Sequence, residues 1–109
     1  MKRYCLALDL KNDETLIAEY EAYHQRVWPE ILQSIQTSGI ENLEIYRTGN
    51  RLFMIMEVNG QFDFESKGKA DAANEKVQEW EQLMWKYQQA MPGSKPGEKW
   101  ILMNKIFSL

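Results

Sequence analysis

Between Lys2 and Leu10 the chain alternates, with Tyr4, Leu6, Leu8 and Leu10 on one side and Cys5, Ala7 and Asp9 on the other. A two-residue period marks a half-buried strand, and KRYCLALDL is predicted to form one. The period then changes. Leu16, Ile17, Tyr20, His24, Val27, Trp28, Ile31 and Ile35 recur three and four residues apart, which gathers them on one side of a helix. Asn12 or Asp13 can cap its start, and Gly39 supplies a stop. Pro29 interrupts it: either the helix kinks there, or Pro29 is the first residue of a new helical segment. Next, NLEIYR (42–47) and RLFMIMEV (51–58) flank a Thr-Gly-Asn turn and read as a hairpin. Residues 62–89 read as helical with a break near Gly68, the part from about Asn74 being the stronger. MPGSKPG (91–97) is a loop by its Pro and Gly, and KWILMNKIF (99–107) is a last strand.

The order is β-α-β-β-α-β, the ferredoxin-like arrangement of the α+β class, with one antiparallel sheet and helices on one face. Phe53, Ile55 and Glu57 alternate with Met54, Met56 and Val58, so the third strand reads as apolar on both sides. The helices cover one side. A second copy of the chain would cover the other, or that face would enclose a small ligand.

Composition narrows the function. A chain of 109 residues is one domain, 1–109, and 44% hydrophobic with 27% charged residues is globular rather than disordered. A formal charge of −3 provides no basic face for nucleic acid. No apolar run has the length of a membrane span, and the opening MKRYCLALDLKND lacks a small-residue cleavage site. Cys5 stands alone, which excludes an internal disulfide and a multi-cysteine zinc site. The plain expectation is a cytoplasmic protein.

Candidate chemistry centres on YEAYHQRVWPEIL (20–32). Tyr20 and the chain's single His, His24, are four apart and share a helical face, one turn from the backbone groups that Pro29 leaves free. His24 is either a packed residue donating to a nearby carbonyl or a general acid–base, a role imidazole often fills near neutrality. One His without a partner at ligand spacing makes no metal site. Cys5 lies on a strand side shared with Ala7, a poor setting for a nucleophile. Glu57, on an apolar strand, is a candidate carboxylate whose plainer reading is a solvent-facing edge residue. In EWEQLMWKYQQ (79–89) Trp80 and Met84 share a face and Trp85 begins another turn beside it. Such a stripe favours core, although aromatic planes beside a polar His also suit sugar rings.

Taken together, Tyr20, His24 and Trp28-Pro29-Glu30, then Gly39, Asn42, Ile45 and Tyr46, then Trp85-Lys86-Tyr87 before Met91-Pro92, resemble the L-rhamnose mutarotase family over essentially the whole chain. The resemblance implies a dimeric α+β barrel that interconverts the α and β anomers of a deoxy-hexose, a small reducing sugar, without a cofactor. By position, His24 matches the family's proton donor, Tyr20 a sugar-binding tyrosine and Trp85 a sugar-binding tryptophan. Two positions depart from the pattern: Leu43 stands where rhamnose enzymes have Tyr, and Met84-Trp85 where they have a Trp pair. Both positions are therefore expected to shape the pocket, with Trp80 able to supply the lost aromatic surface. VQEWEQLMWK and KPGEKW are more similar to relatives acting on L-fucose. Two other functions also fit these residues. One is a small oxidative enzyme of the dimeric α+β-barrel kind, cofactor-free or with His24 as a haem ligand. The other is a non-enzymatic ligand-binding dimer module.

Overall fold

The alternation and the three-four spacing become strands and helices in the computed structural model, which describes residues 1–109. The elements are β1 (Lys2–Leu10), α1 (Glu14–Tyr23), α2 (Pro29–Thr37), β2 (Ile40–Thr48), β3 (Arg51–Val58), α3 (Phe64–Ala72), α4 (Glu75–Trp85), β4 (Gln88–Gln89) and β5 (Ile101–Leu102). Every strand pairing is antiparallel, in the spatial order β2-β3-β1-β4. This is the ferredoxin-like order expected of an α+β chain.

On its other edge β1 receives two short pieces: Leu10 and Asp9 face Gln88 and Gln89, then Ala7 and Leu6 face Ile101 and Leu102. β4 and β5 are thus two halves of one fourth strand, split by residues 90–100. Two sequence expectations are corrected here. The helix placed over 62–89 ends at Trp85, because Lys86 and Tyr87 donate back to the carbonyls of Leu83 and Met84, three residues earlier, and tighten its last turn. The Tyr87 carbonyl then accepts from Lys11 N–H at 2.8 Å, which draws Gln88 into the sheet. The strand placed over 99–107 is only Ile101–Leu102. Met103 N–H still bonds the Cys5 carbonyl at 2.8 Å, but Ile106 and Phe107 beyond it are exposed.

Local chemistry accounts for the helix boundaries. Asp13 accepts from Leu16 N–H to cap α1, and Pro29 opens α2, where its missing N–H costs no hydrogen bond. Of the two readings of Pro29, the new segment is the one adopted. The break between the later helices falls at Ala73–Asn74 and not at Gly68, which lies inside α3. Asn74 is extended, and its side-chain oxygen accepts from Lys76 and Val77 N–H at 3.1 and 3.2 Å. A capping Asn stops one helix and starts the next more firmly than a tolerated Gly breaks one.

Cross-strand register puts Leu6, Leu8, Leu10, Leu52, Met54, Met56 and Val58 on one face. Two buried clusters form there: Leu10, Tyr20, Leu52, Met84 and Tyr87, and beside them Leu6, Ile40, Met56 and Val58. The opposite face carries Cys5, Ala7, Asp9, Tyr46, Phe53, Ile55 and Glu57. Asp9 is buried there, and both its oxygens are taken by the Arg51 guanidinium at 2.7 and 3.1 Å. Phe53 and Ile55 are half-buried and Tyr46 is exposed. No helix is long and apolar enough to cross a membrane.

Candidate active site

A helix leaves its last carbonyls without intrahelical partners, and α1 ends one residue before His24. The backbone N–H of His24 bonds the Glu21 carbonyl, three residues back, instead of that of Tyr20. The freed Tyr20 carbonyl is taken by the imidazole, with Nδ1 2.8 Å away. A carbonyl can only accept, so Nδ1 carries a hydrogen and the neutral ring holds its lone pair on Nε2. The ring is held from two sides, by Tyr20 at 4.5 Å between centroids and by the edge-on indole of Trp80 at 5.7 Å.

His24 lines a cavity of about 530 Å³ between the helices and the helix-facing side of the sheet. That volume is in the range of about 300–1,000 Å³ typical of small-molecule sites. The walls are mostly apolar: Val27 and Ile31 near α2, Leu43 and Ile45 from β2, Met54 from β3, Trp80 and Met84 from α4, and Trp100 before β5. An adjoining space of about 350 Å³ shares Leu43, Met54, Trp80 and Trp100 and runs out toward Lys67, Asp71 and Lys99. The ligand-sized space is thus on the helix side, not on the open face of the sheet.

Besides the Tyr20 phenol, the polar side chains on the cavity wall are His24, Gln36, Glu41, Asn42 and Gln88. Tyr20 is buried, and the Gln88 amide Nε2 donates to its hydroxyl oxygen at 3.3 Å, leaving the phenol's own O–H to donate. Burial raises the phenol's pKa above its ordinary value, outweighing the Gln88 hydrogen bond that lowers it. The group therefore keeps its proton at neutral pH. Tyr87 has no such freedom. Its hydroxyl is committed to Glu19 at 3.0 Å, and burial, then that carboxylate, pushes the phenol up to about 12.

Of the residues singled out from sequence, His24, Tyr20, Leu43 and Met84 line this cavity together. Trp85 does not line it. Its ring lies under the Lys99 ammonium, 5.0 Å from the centroid, while Trp80 supplies the indole beside His24. Glu57 is on the open face with Arg3 and Asn42. Gln88 and Trp100 also line the cavity, although in the sequence Gln88 falls within the predicted helix and Trp100 within the predicted strand after the loop. The one available signal was a Gln pair following an aromatic stripe.

A model of the L-rhamnose mutarotase family matches residues 3–109. The chain belongs to this family. Among relatives of this mutarotase, an L-fucose mutarotase of Xanthomonas campestris pv. campestris is 49% identical over 111 residues, spanning 100% of this chain and 89% of that protein. The crystal structure of an L-rhamnose mutarotase from Formosa agariphila superposes with a TM-score of 0.73 at 23% identity, covering 100% of this chain and 99% of that one. Tetracenomycin F2 cyclase of Streptomyces glaucescens shares the fold at a TM-score of 0.62 and 14% identity, over 100% and 97% of the two chains. As a mutarotase the chain is an enzyme of the isomerase class.

Proposed function

We propose that this mutarotase interconverts the α and β anomers of a 6-deoxy-hexose, L-fucose in preference to L-rhamnose, with His24 moving the protons. The observation that carries the reading is the imidazole pinned through Nδ1 on a wall of an aromatic-lined cavity, with Nε2 left free of protein partners. Anomer exchange removes a proton from the hydroxyl at C1 and gives one to the ring oxygen. The C1–O5 bond breaks, the aldehyde turns about C1–C2, and the ring recloses on the other face. Nε2 is the one imidazole atom able to take or return a proton. The Tyr20 hydroxyl, still protonated at neutral pH, can donate a hydrogen bond to the sugar. One positioned acid–base contributes about 10²–10⁴-fold, which suits a reaction that already proceeds in water.

The choice of sugar rests on the 49% identity to an L-fucose mutarotase and on Leu43 and Met84 in the cavity wall. The active form is a homodimer joined through the open sheet face, and the lone Cys5 suits a reducing, cytoplasmic setting. Saturation-transfer NMR on L-fucose and L-rhamnose observes exchange between anomers directly. Exchange faster than in buffer, and faster on L-fucose, is the expected result. Exchange on neither sugar would overturn the reading.

A further inference from the structure

We infer that Gln88 reads a hydroxyl of the bound sugar, accepting its hydrogen bond on the amide group that the protein leaves unpaired. The inference rests on the mutarotase reading and goes beyond it to the group that selects the substrate.

Gln88 is 5% exposed. Its backbone pairs with Leu10 in the sheet, so the side chain starts from a rigid strand rather than a loop. Nε2 is engaged with the Tyr20 hydroxyl, but Oε1 is buried without a hydrogen-bond partner. Turning the amide over does not remove the deficit: the Tyr20 hydroxyl would then donate to Oε1, and the Nε2 hydrogens would be the unpaired ones. In either orientation one polar edge of a buried amide needs a partner. Such groups are rare in folded proteins, because burial strips off water without replacing it.

The side chain lines both the His24 cavity and the space adjoining it. Oε1 itself has almost no accessible surface, so a polar partner meets the unpaired edge once the amide turns about its last torsion toward the cavity, whose wall is mostly apolar. A hydroxyl is the fitting chemistry, since it can donate to Oε1 or accept from Nε2. An anion would suit only the Nε2 edge, and an apolar ligand would leave the amide unpaired. The bond to Tyr20 also ties the two groups together, so a sugar seated on Gln88 meets a phenol already oriented beside the imidazole. A site built to pair a hydroxyl rejects the analogue that lacks it, because binding then buries the amide unpaired.

The test uses the intact protein, Gln88→Met as a variant of similar length without hydrogen-bonding capacity, and a panel of L-fucose with its 2-, 3- and 4-deoxy analogues. Anomer exchange is followed by saturation transfer. Binding is followed by tryptophan fluorescence, which reports on Trp80 and Trp100 in the cavity wall. The wild-type chain is expected to lose about tenfold or more in kcat/KM on one deoxy analogue. Gln88→Met is expected to lose a similar factor on L-fucose and little further on that analogue, because both changes delete one hydrogen bond. Two results overturn the inference: a wild type indifferent to all three deletions, which needs no variant to fold, or a Met variant that discriminates as the wild type does. If the wild type binds L-fucose without exchanging its anomers, the mutarotase reading fails and the same comparison of binding constants decides Gln88. If no sugar binds, both fall.

Discussion

His24 is placed by a helix that stops early. The imidazole occupies the Tyr20 carbonyl that the end of α1 leaves free, so one nitrogen is structural and the other is available. His24→Asn separates the two roles, since the Asn amide reaches about as far as Nδ1 and can still donate to that carbonyl. Anomer exchange by saturation transfer is expected to fall at least about tenfold. The melting temperature should hardly move, and exchange at the wild-type rate would make His24 a packing residue only. Leu43 allows a second test at this scale. It lines the cavity from β2, at a position where the L-rhamnose pattern has Tyr. Leu43→Tyr should shift the ratio of L-fucose to L-rhamnose exchange toward L-rhamnose; an unchanged ratio would remove Leu43 from sugar choice. The four-residue spacing of Tyr20 and His24 made their shared face legible. The hydrogen bond between them was not, because it depends on where the helix ends.

Among the elements, α4 brings Trp80 and Met84 to the cavity wall, and its start is set by one side chain. Asn74 accepts two N–H groups of the first turn, ahead of the Val77, Trp80 and Met84 face that meets the core and cavity. Asn74→Ala should cost about 1 kcal/mol. For a domain of this size that lowers the melting temperature by about 4–8 °C. Activity per folded molecule should be retained at low temperature, since no group facing the cavity is removed. An unchanged melting temperature would mean that packing alone holds α4. Asn74 was legible as the start of the stronger helix, because capping is chemistry between near neighbours. The misplaced break at Gly68 shows the opposite case, a glycine tolerated where the helix has other reasons to continue.

At the scale of the whole molecule, the open sheet face remains to be covered. Phe53, Ile55 and Tyr46 sit side by side on it, across from the helix-covered side. A second copy laid face to face would bury them and close two open sheets into a barrel. Sedimentation at micromolar concentration should give about twice the chain mass, and Ile55→Lys, which puts a charge into the apolar centre, should give the monomer. A monomeric wild type would overturn this assembly.

Strand alternation, the period of the helices, the caps and the chemistry of a lone His are local properties, and the chain carries them before it folds. The β-α-β-β-α-β order followed, and so did the grouping of Tyr20 with His24. Tertiary structure decided what lay between distant segments. An aromatic stripe at helical spacing is equally compatible with a helix that continues to Gln89 and with one that ends at Trp85. The bond from Lys11 to the Tyr87 carbonyl and the pairing of Gln88 with Leu10 selected the second. That choice turned Gln88 into the cavity, left Trp85 beside Lys99, and brought Trp100 back across the insertion to the same wall. A partner about 78 residues away in sequence leaves no periodic trace, because its contribution appears only once β1 is there to pair with.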